Sequence, residues 1–352
     1  MTVDLHDAPA EMVTDRLNRP LKDLRISVTD RCNFRCGYCM PKDVFGKNYS
    51  FLNSNALLKY QDIERLVGIF TNLGVHKIRL TGGEPLLRQD LEDLIRRIAG
   101  IDGIRDIALT TNASLLTSER AASLHEAGIR RLNISLDALN PEIYARINQV
   151  PVPLQDILDG IRNALDVPYD VIKINMVVQK GVNEDDILPM CEYFRNTGAV
   201  LRFIEFMDVG NHNRWDLDKV FTAREIIDLI NPVYPLEPIR ANYRGEVSKR
   251  WRYVDGQGEI GVISSITQPF CTDCARARLS AKGEVFTCLF ASSGYDLRPL
   301  LDGNLKDDEI LERLRRLWLQ REDRYSMDRM SNLDSPSDGR ASQKVEMSYI
   351  GG

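Results

Sequence analysis

The sequence predicts an α/β protein centred on an incomplete (β/α)6 TIM-type barrel, followed by a C-terminal region with a few antiparallel strands. Three observations carry this expectation. Six apolar, β-branched runs alternate with amphipathic helical stretches, the pattern of a parallel sheet with helices outside. The alternation stops near Gly210, and polar residues recur at the end of each run.

Residues 24–28 open the series as a strand. Residues 56–73 carry Ile63, Leu66, Val67 and Phe70 at helical spacing, and Gly74 ends that helix. The strand at 75–80, helix at 90–98, strand at 105–109 and helix at 118–127, closed by Gly128, repeat the unit. A strand at 131–136, helices at 141–147 and 154–165, a strand at 171–178, a helix at 184–196 and a strand at 200–206 complete it. Beyond lie a helix at 220–230, a proline-punctuated connector at 231–238, and strands at 250–254 and 259–266 flanking a Gly-rich turn. The barrel domain is expected to end between Val209 and Val220.

Bulk properties narrow the class. The 352 residues suit one large barrel with an extension, and no apolar run approaches the ~20 residues that span a bilayer. A formal charge of −5 argues against a protein that grips a nucleic-acid backbone. The acidic N-terminus resembles neither a signal nor a transit peptide, so a reducing cytoplasm is the expected setting. The seven cysteines form two triplets and a singleton, Cys191, which a predicted helix would bury as a small hydrophobe.

The first triplet, Cys32, Cys36 and Cys39, closes the first strand as C-x3-C-x2-C. Three thiolates on one loop can hold a 4Fe-4S cube and leave one iron open to another ligand. The arrangement resembles that of the radical S-adenosylmethionine (SAM) superfamily, in which SAM chelates the open iron. Zinc is the plainer alternative for C-x2-C, but a second nearby pair is missing. The second strand runs into Thr81-Gly-Gly-Glu-Pro85, whose paired glycines let backbone approach a ligand. Thr110-Thr111-Asn112, Ser135-Leu-Asp137, Lys173 and Asn175, and Arg202, Glu205 and Met207 mark the other strand ends. Barrel enzymes place their chemistry at that end.

The second triplet, Cys271, Cys274 and Cys288, reads C-x2-C-x13-C. The four histidines, His6, His76, His125 and His212, all lie elsewhere, so a second open 4Fe-4S cluster fits better than a zinc site. Arg276 and Arg278, with Arg25, Arg79, Lys173 and Arg202, form a cationic set. Placed opposite the barrel mouth, the two arginines would suit a triphosphate.

Taken together, DRCNFRCGYCMP, LTGGEP, TTN, NISLDAL, KIN, RFIEFM, RARLS beside the second triplet, and the terminal Gly351-Gly352 resemble the GTP 3′,8-cyclase family of radical SAM enzymes, which begins molybdenum-cofactor biosynthesis. The resemblance runs from about Leu17 to the end of the chain. It implies two 4Fe-4S clusters and SAM as cofactors, with Cys32, Cys36 and Cys39 on one cluster and Cys271, Cys274 and Cys288 on the other. Tyr38, Gly83, Ser135 and Met207 match the family's SAM contacts. Arg25, Arg79, Thr110, Lys173, Arg202, Arg276 and Arg278 match its GTP contacts. Catalytic roles are implied for Arg25, Arg276, Arg278, Gly351 and Gly352, although a double glycine alone reads as a frayed terminus.

On the same resemblance, a deoxyadenosyl radical would take the ribose C3′ hydrogen of GTP and C3′ would bond to guanine C8, with the auxiliary cluster orienting the base. The expected organisation is a tail at 1–16, a radical SAM partial barrel at 17–215, an auxiliary-cluster and substrate region at 216–320, and a mobile tail at 321–352. Implied partners are an electron donor such as flavodoxin or ferredoxin and the downstream cyclic pyranopterin monophosphate synthase; the resemblance also allows a homodimer, with no nucleic acid or membrane. The sequence departs from the family at Ala113-Ser114, where glycine is commoner, which leaves Thr110 and Thr111 as alternatives for one GTP contact. A radical SAM enzyme modifying a peptide or tRNA, and a zinc-binding interaction protein, are the competing readings.

Overall fold

The computed structural model describes residues 13–303, 305–334 and 343–351. Within them, strands β1 (Asp23–Ser27), β2 (Lys77–Thr81), β3 (Asp106–Thr111), β4 (Arg131–Ser135), β5 (Val171–Val178) and β6 (Val200–Glu205) pair in that order, all parallel. Helices α1 (Tyr60–Thr71), α2 (Leu91–Ala99), α3 (Ser118–Ala127), α4 (Pro141–Asn148), α5 (Leu154–Leu165) and α6 (Ile187–Phe194) connect them. This is the partial barrel expected from the alternation.

The caps are local sequence chemistry. Thr117 accepts from the Arg120 amide to start α3, and Gly128, at φ +129°, ends it in a backbone region that favours glycine. Asn140 accepts from the Glu142 and Ile143 amides, with Pro141 in the first turn of α4. Helix α6 is shorter than the expected 184–196. Asn196 takes φ +60° and its amide bonds to the Gln257 carbonyl, so that residue belongs to a turn.

Strand β5 shows how the core is divided. Ile172, Ile174, Met176 and Val178 are buried on one face, whereas Val171, Lys173, Asn175 and Val177 are only half-buried on the other. The apolar core therefore lies between sheet and helices, joined by residues such as Leu94, Ile98, Ile134 and Ile161. The concave face carries polar groups.

The C-terminal region extends this same sheet at both edges. After α7 (Ala223–Ile230), which opens with a Thr222–Glu225 capping box, come β7 (Leu236–Ile239), β8 (Lys249–Tyr253) and β9 (Glu259–Ile263). Strand β9 pairs parallel with β6, and the antiparallel β8 and β7 follow. The stretch expected to be only a connector thus holds most of a strand; Pro238 is tolerated because β7 is the outermost strand.

At the opposite edge, β10 (Arg276–Leu279) pairs parallel with β1, followed by antiparallel β11 (Glu284–Phe286) and β12 (Tyr295–Asp296). Arg276 and Arg278 therefore lie beside Asp23 and Arg25 in the sheet, rather than opposite its mouth. Glu205, fully buried at the end of β6, accepts from the amides of Ala223, Ile266 and Thr267 and ties the two regions together.

The chain closes with α8 (Arg298–Asp302), α9 (Asp307–Leu319), α10 (Tyr325–Asp334) and α11 (Met347–Ile350). The segment from Arg321, whose composition suggested mobility, begins with a buried arginine and continues into α10 because Arg321 and Arg329 find carboxylate partners. Residues 1–12 of the expected N-terminal tail, and Gly352, lie outside the described residues. Among those described, no helix is long and apolar enough to cross a membrane.

Candidate active site

The site begins where β1 ends. Cys32, Cys36 and Cys39 line a cavity of about 130 Å³ together with Gly83, Glu84 and Asn112. The loop is held by its own arginine: Arg35 Nη1 donates to the carbonyls of Cys32 at 2.8 Å and Phe34 at 2.7 Å. Asn33 links it to the third strand end through Ser114 Oγ and Asn112 Nδ2.

Gly82 and Gly83 form the adjoining wall. A Cβ on Gly83 would overlap the Arg31 carbonyl oxygen and sit 2.9 Å from the Cys32 amide nitrogen, so only glycine fits against the cysteine loop. Glu84 is buried and accepts from Thr111 Oγ1, the Asn112 amide and the Leu86 amide. Burial pushes its carboxyl up to about 7. Thr111 is thereby engaged, whereas Thr110 Oγ1 is buried without a partner and lines the cavity, which favours Thr110 as the contact. Ala113 sits at φ +62°, which explains why glycine suits that position.

A second cavity of about 250 Å³ continues from the first, sharing Tyr38, Thr110, Ser135, Asp137 and Met347. Met207, Cys271, Cys274 and Cys288 line this second cavity and not the first. Tyr38 donates to Asp137 Oδ2 at 2.8 Å, and Asp137 Oδ1 accepts from the Val177 amide, fixing the junction. Burial raises the Asp137 carboxyl to about 6.

Arg25, Arg79, Arg202, Arg276 and Arg278 converge on this second cavity. Strand register sets Arg25 between Arg79 and Arg278. Among the described residues none of the five forms a salt bridge, and the buried Nε atoms of Arg25 and Arg79 have no partner. Burial and neighbouring guanidiniums push Arg202 down to about 9 and Arg278 to about 10. Unpaired buried cations are costly, so the cavity is built for an anion.

Lys173 is not among the residues lining the cavity. It lies below it on β5, where burial and the charges of Arg202, Arg131 and Arg79 push its ammonium down to about 7. Arg278 donates to the Gly351 carbonyl, and Ser348 and Ile350 are buried, so the chain end threads into the site. Sequence composition alone gave no sign of this.

The thiols fit clusters. Burial raises Cys32 to about 12 and Cys36 well above its ordinary value, so metal loading there would release protons. Burial would likewise raise Cys274, but Arg276 and Arg321 outweigh it and bring that thiol down to about 6. Among the described residues, no three Cys, His, Asp or Glu groups converge as the shell of a single ion. Cys32, Cys36 and Cys39 line the first cavity, and Cys271, Cys274 and Cys288 the second.

A six-stranded parallel half-barrel with C-x3-C-x2-C after its first strand and a glycine pair after its second defines a radical SAM enzyme. Residues 26–194 match the Radical SAM superfamily model, and residues 199–327 match Molybdenum Cofactor Synthesis C. The fold is similar to that of Streptococcus suis SuiB bound to S-adenosylmethionine, with a TM-score of 0.59 at 15% identity, covering 84% of this chain and 68% of that one. Whole-length relatives are more specific. The chain is 48% identical to a GTP 3′,8-cyclase of Acidothermus cellulolyticus and 45% identical to one of Staphylococcus epidermidis, in each case covering 97% of this chain and 99% of the relative. The chain belongs to the GTP 3′,8-cyclase family.

Replacing Gly83 tests the cysteine-loop geometry. In Gly83→Ala, displacement of the 31–32 backbone should lower iron and sulfide at the first site. The far-UV circular dichroism spectrum should stay unchanged. Full iron loading in this variant would show that the loop does not depend on the glycine.

Proposed function

We propose that the two cavities divide one reaction between them, with SAM held at the first triplet and GTP spanning the arginines and the second triplet. The family's activity converts GTP to (8S)-3′,8-cyclo-7,8-dihydroguanosine 5′-triphosphate, the first step of molybdenum-cofactor biosynthesis. The observation that carries the assignment of residues is the group of five guanidiniums, free of carboxylate partners, beside Cys271, Cys274 and Cys288.

Cys32, Cys36 and Cys39 would hold one 4Fe-4S cluster, and Cys271, Cys274 and Cys288 the other. When loaded, the first cluster with SAM supplies a 5′-deoxyadenosyl radical that takes the ribose C3′ hydrogen of GTP. Tyr38, Gly83, Ser135 and Met207 position SAM; Tyr38 is fixed for this by its bond to Asp137. Arg25, Arg79, Arg202, Arg276 and Arg278 neutralise the triphosphate through charge-assisted hydrogen bonds, and Thr110 offers its unpartnered hydroxyl where the cavities meet. With the phosphates anchored, the ribose is confined to that junction, and positioning of this kind is a large part of rate acceleration. Gly351 holds Arg278 through its carbonyl; the role implied for Gly352 lies outside the described residues.

A one-electron donor such as flavodoxin or ferredoxin would reduce the clusters, and the product would pass to the cyclic pyranopterin monophosphate synthase. A cytoplasmic setting keeps the seven thiols reduced. A homodimer and the divisions 17–215 and 216–320 belong to the same proposal. The likeness to SuiB is one of architecture alone.

Two outcomes test the arginine and lysine assignments. Arg276→Ala or Arg278→Ala should weaken GTP binding by about tenfold to a hundredfold, the worth of one or two charge-assisted hydrogen bonds. SAM cleavage without GTP should persist; equal loss of both would make these arginines supports of the fold. Lys173 sets a pH dependence. Below about 7 it is charged in free and bound protein alike, so Lys173 adds no pH dependence there. Above that pH the free protein carries it neutral, a bound polyanion favours its protonation, and GTP affinity should fall as pH rises. Calorimetric titrations should show this slope flattened in Lys173→Gln; an undiminished slope would exclude Lys173.

A further inference from the structure

The second triplet sits on loops with little regular structure, yet each of its three cysteine-bearing segments has one backbone carbonyl held from outside. Arg19 Nη1 donates to the Cys271 carbonyl at 2.8 Å. Arg321 Nη1 donates to the Cys274 carbonyl at 2.8 Å, and Arg321 Nε donates to the carbonyl of Thr287, the residue before Cys288, at 3.1 Å. These two arginines come from opposite ends of the chain and meet on one carboxylate. Asp15 Oδ2 accepts from Arg19 Nε at 2.6 Å and from Arg321 Nη1 at 3.1 Å.

The frame is closed to water, with the side chains of Asp15, Arg19 and Arg321 at most 1% exposed. Asp15 Oδ1 accepts from the Leu17 and Arg19 amides, and the Arg321 guanidinium lies over the Trp318 ring at 4.5 Å. Trp318 Nε1 in turn donates to the Arg19 carbonyl. Arg19 Nη1 also donates to the Asp323 carbonyl, and Arg321 Nε to the Asp323 carboxylate. At the first triplet one local residue, Arg35, does the comparable job for Cys32 and Phe34.

We propose that Asp15, Arg19 and Arg321 form a positioning frame that presets Cys271, Cys274 and Cys288 for the auxiliary cluster. A cube accepts thiolates only from fixed corners, and loops without ladder hydrogen bonds need another source of rigidity. Two planar guanidinium forks can each hold more than one acceptor at set angles, which an ammonium cannot. The proposal rests on the reading that the second triplet holds a cluster.

The test uses full-length protein purified and reconstituted anaerobically, comparing the parent with Arg321→Lys, Asp15→Asn and Cys271→Ala/Cys274→Ala/Cys288→Ala. Iron and sulfide are counted, electron paramagnetic resonance spectra are recorded after reduction, and SAM cleavage is assayed without GTP. The parent should hold about eight iron atoms and the cysteine variant about four. Arg321→Lys keeps the charge, and Asp15→Asn keeps the shape. Both should retain the first-cluster spectrum and parental SAM cleavage while losing most of the second-cluster signal.

Eight irons with a parental second-cluster spectrum in both variants would overturn the frame. So would parallel loss of both clusters, which would mark a fold-wide effect. If the cysteine variant itself keeps eight irons, the cluster assignment fails instead, whatever the arginine variants show.

Discussion

Crowded positive charge at the centre of the half-barrel is the constraint to which the rest of the structure answers. Parallel register forces Arg25, Arg79 and Arg278 side by side, and Arg202 and Arg276 close on the same space. Burial alone would raise the carboxyl of neighbouring Asp23, but Arg79, Arg25 and Arg276 outweigh it and hold that acid below its ordinary value; its Oδ1 still lacks a partner. One acid cannot offset five guanidiniums. The apolar core lies on the other face of the sheet, and in the proposed function a polyanionic substrate would complete the balance.

The two cysteine triplets are held in different ways. The first is mounted on a strand end and braced locally by Arg35, Asn33 and the Gly83 contact, so its geometry is set within the barrel. The second depends on residues from both ends of the chain and stands beside the arginines. Between them Tyr38, Thr110, Ser135 and Asp137 mark the junction where a bound nucleotide would present its ribose. The C-terminal segment seals this junction: Met347 borders both cavities and Gly351 accepts from Arg278.

Much of this was legible in the sequence for physical reasons. The βα alternation has a strong period, the cysteine spacings are short-range, and the polar strand ends stand out against apolar runs. Thr110 and Thr111 look alike in the sequence; only the structure shows Thr111 donating to Glu84 and Thr110 Oγ1 buried without a partner. Strand β10, Arg-Ala-Arg-Leu, does alternate polar and apolar residues, but four residues are too few for that period to stand out, and its parallel pairing with β1 joins segments about 250 residues apart. Strand β7 was masked by its proline. The Asp15–Arg321 bond joins residues 306 positions apart, and no local pattern reports such a pair. The charged segment from Arg321 looked solvated because its partners were out of view.

Central to this account is the claim that the junction of the two cavities holds the ribose of GTP within reach of the radical generated at Cys32, Cys36 and Cys39. The most direct measurement is mass spectrometry of the 5′-deoxyadenosine formed when reduced, cluster-loaded protein acts on SAM and GTP deuterated at C3′. The account predicts GTP-dependent 5′-deoxyadenosine carrying one deuterium from C3′. Unlabelled 5′-deoxyadenosine, formed at the same rate with and without GTP, would contradict it.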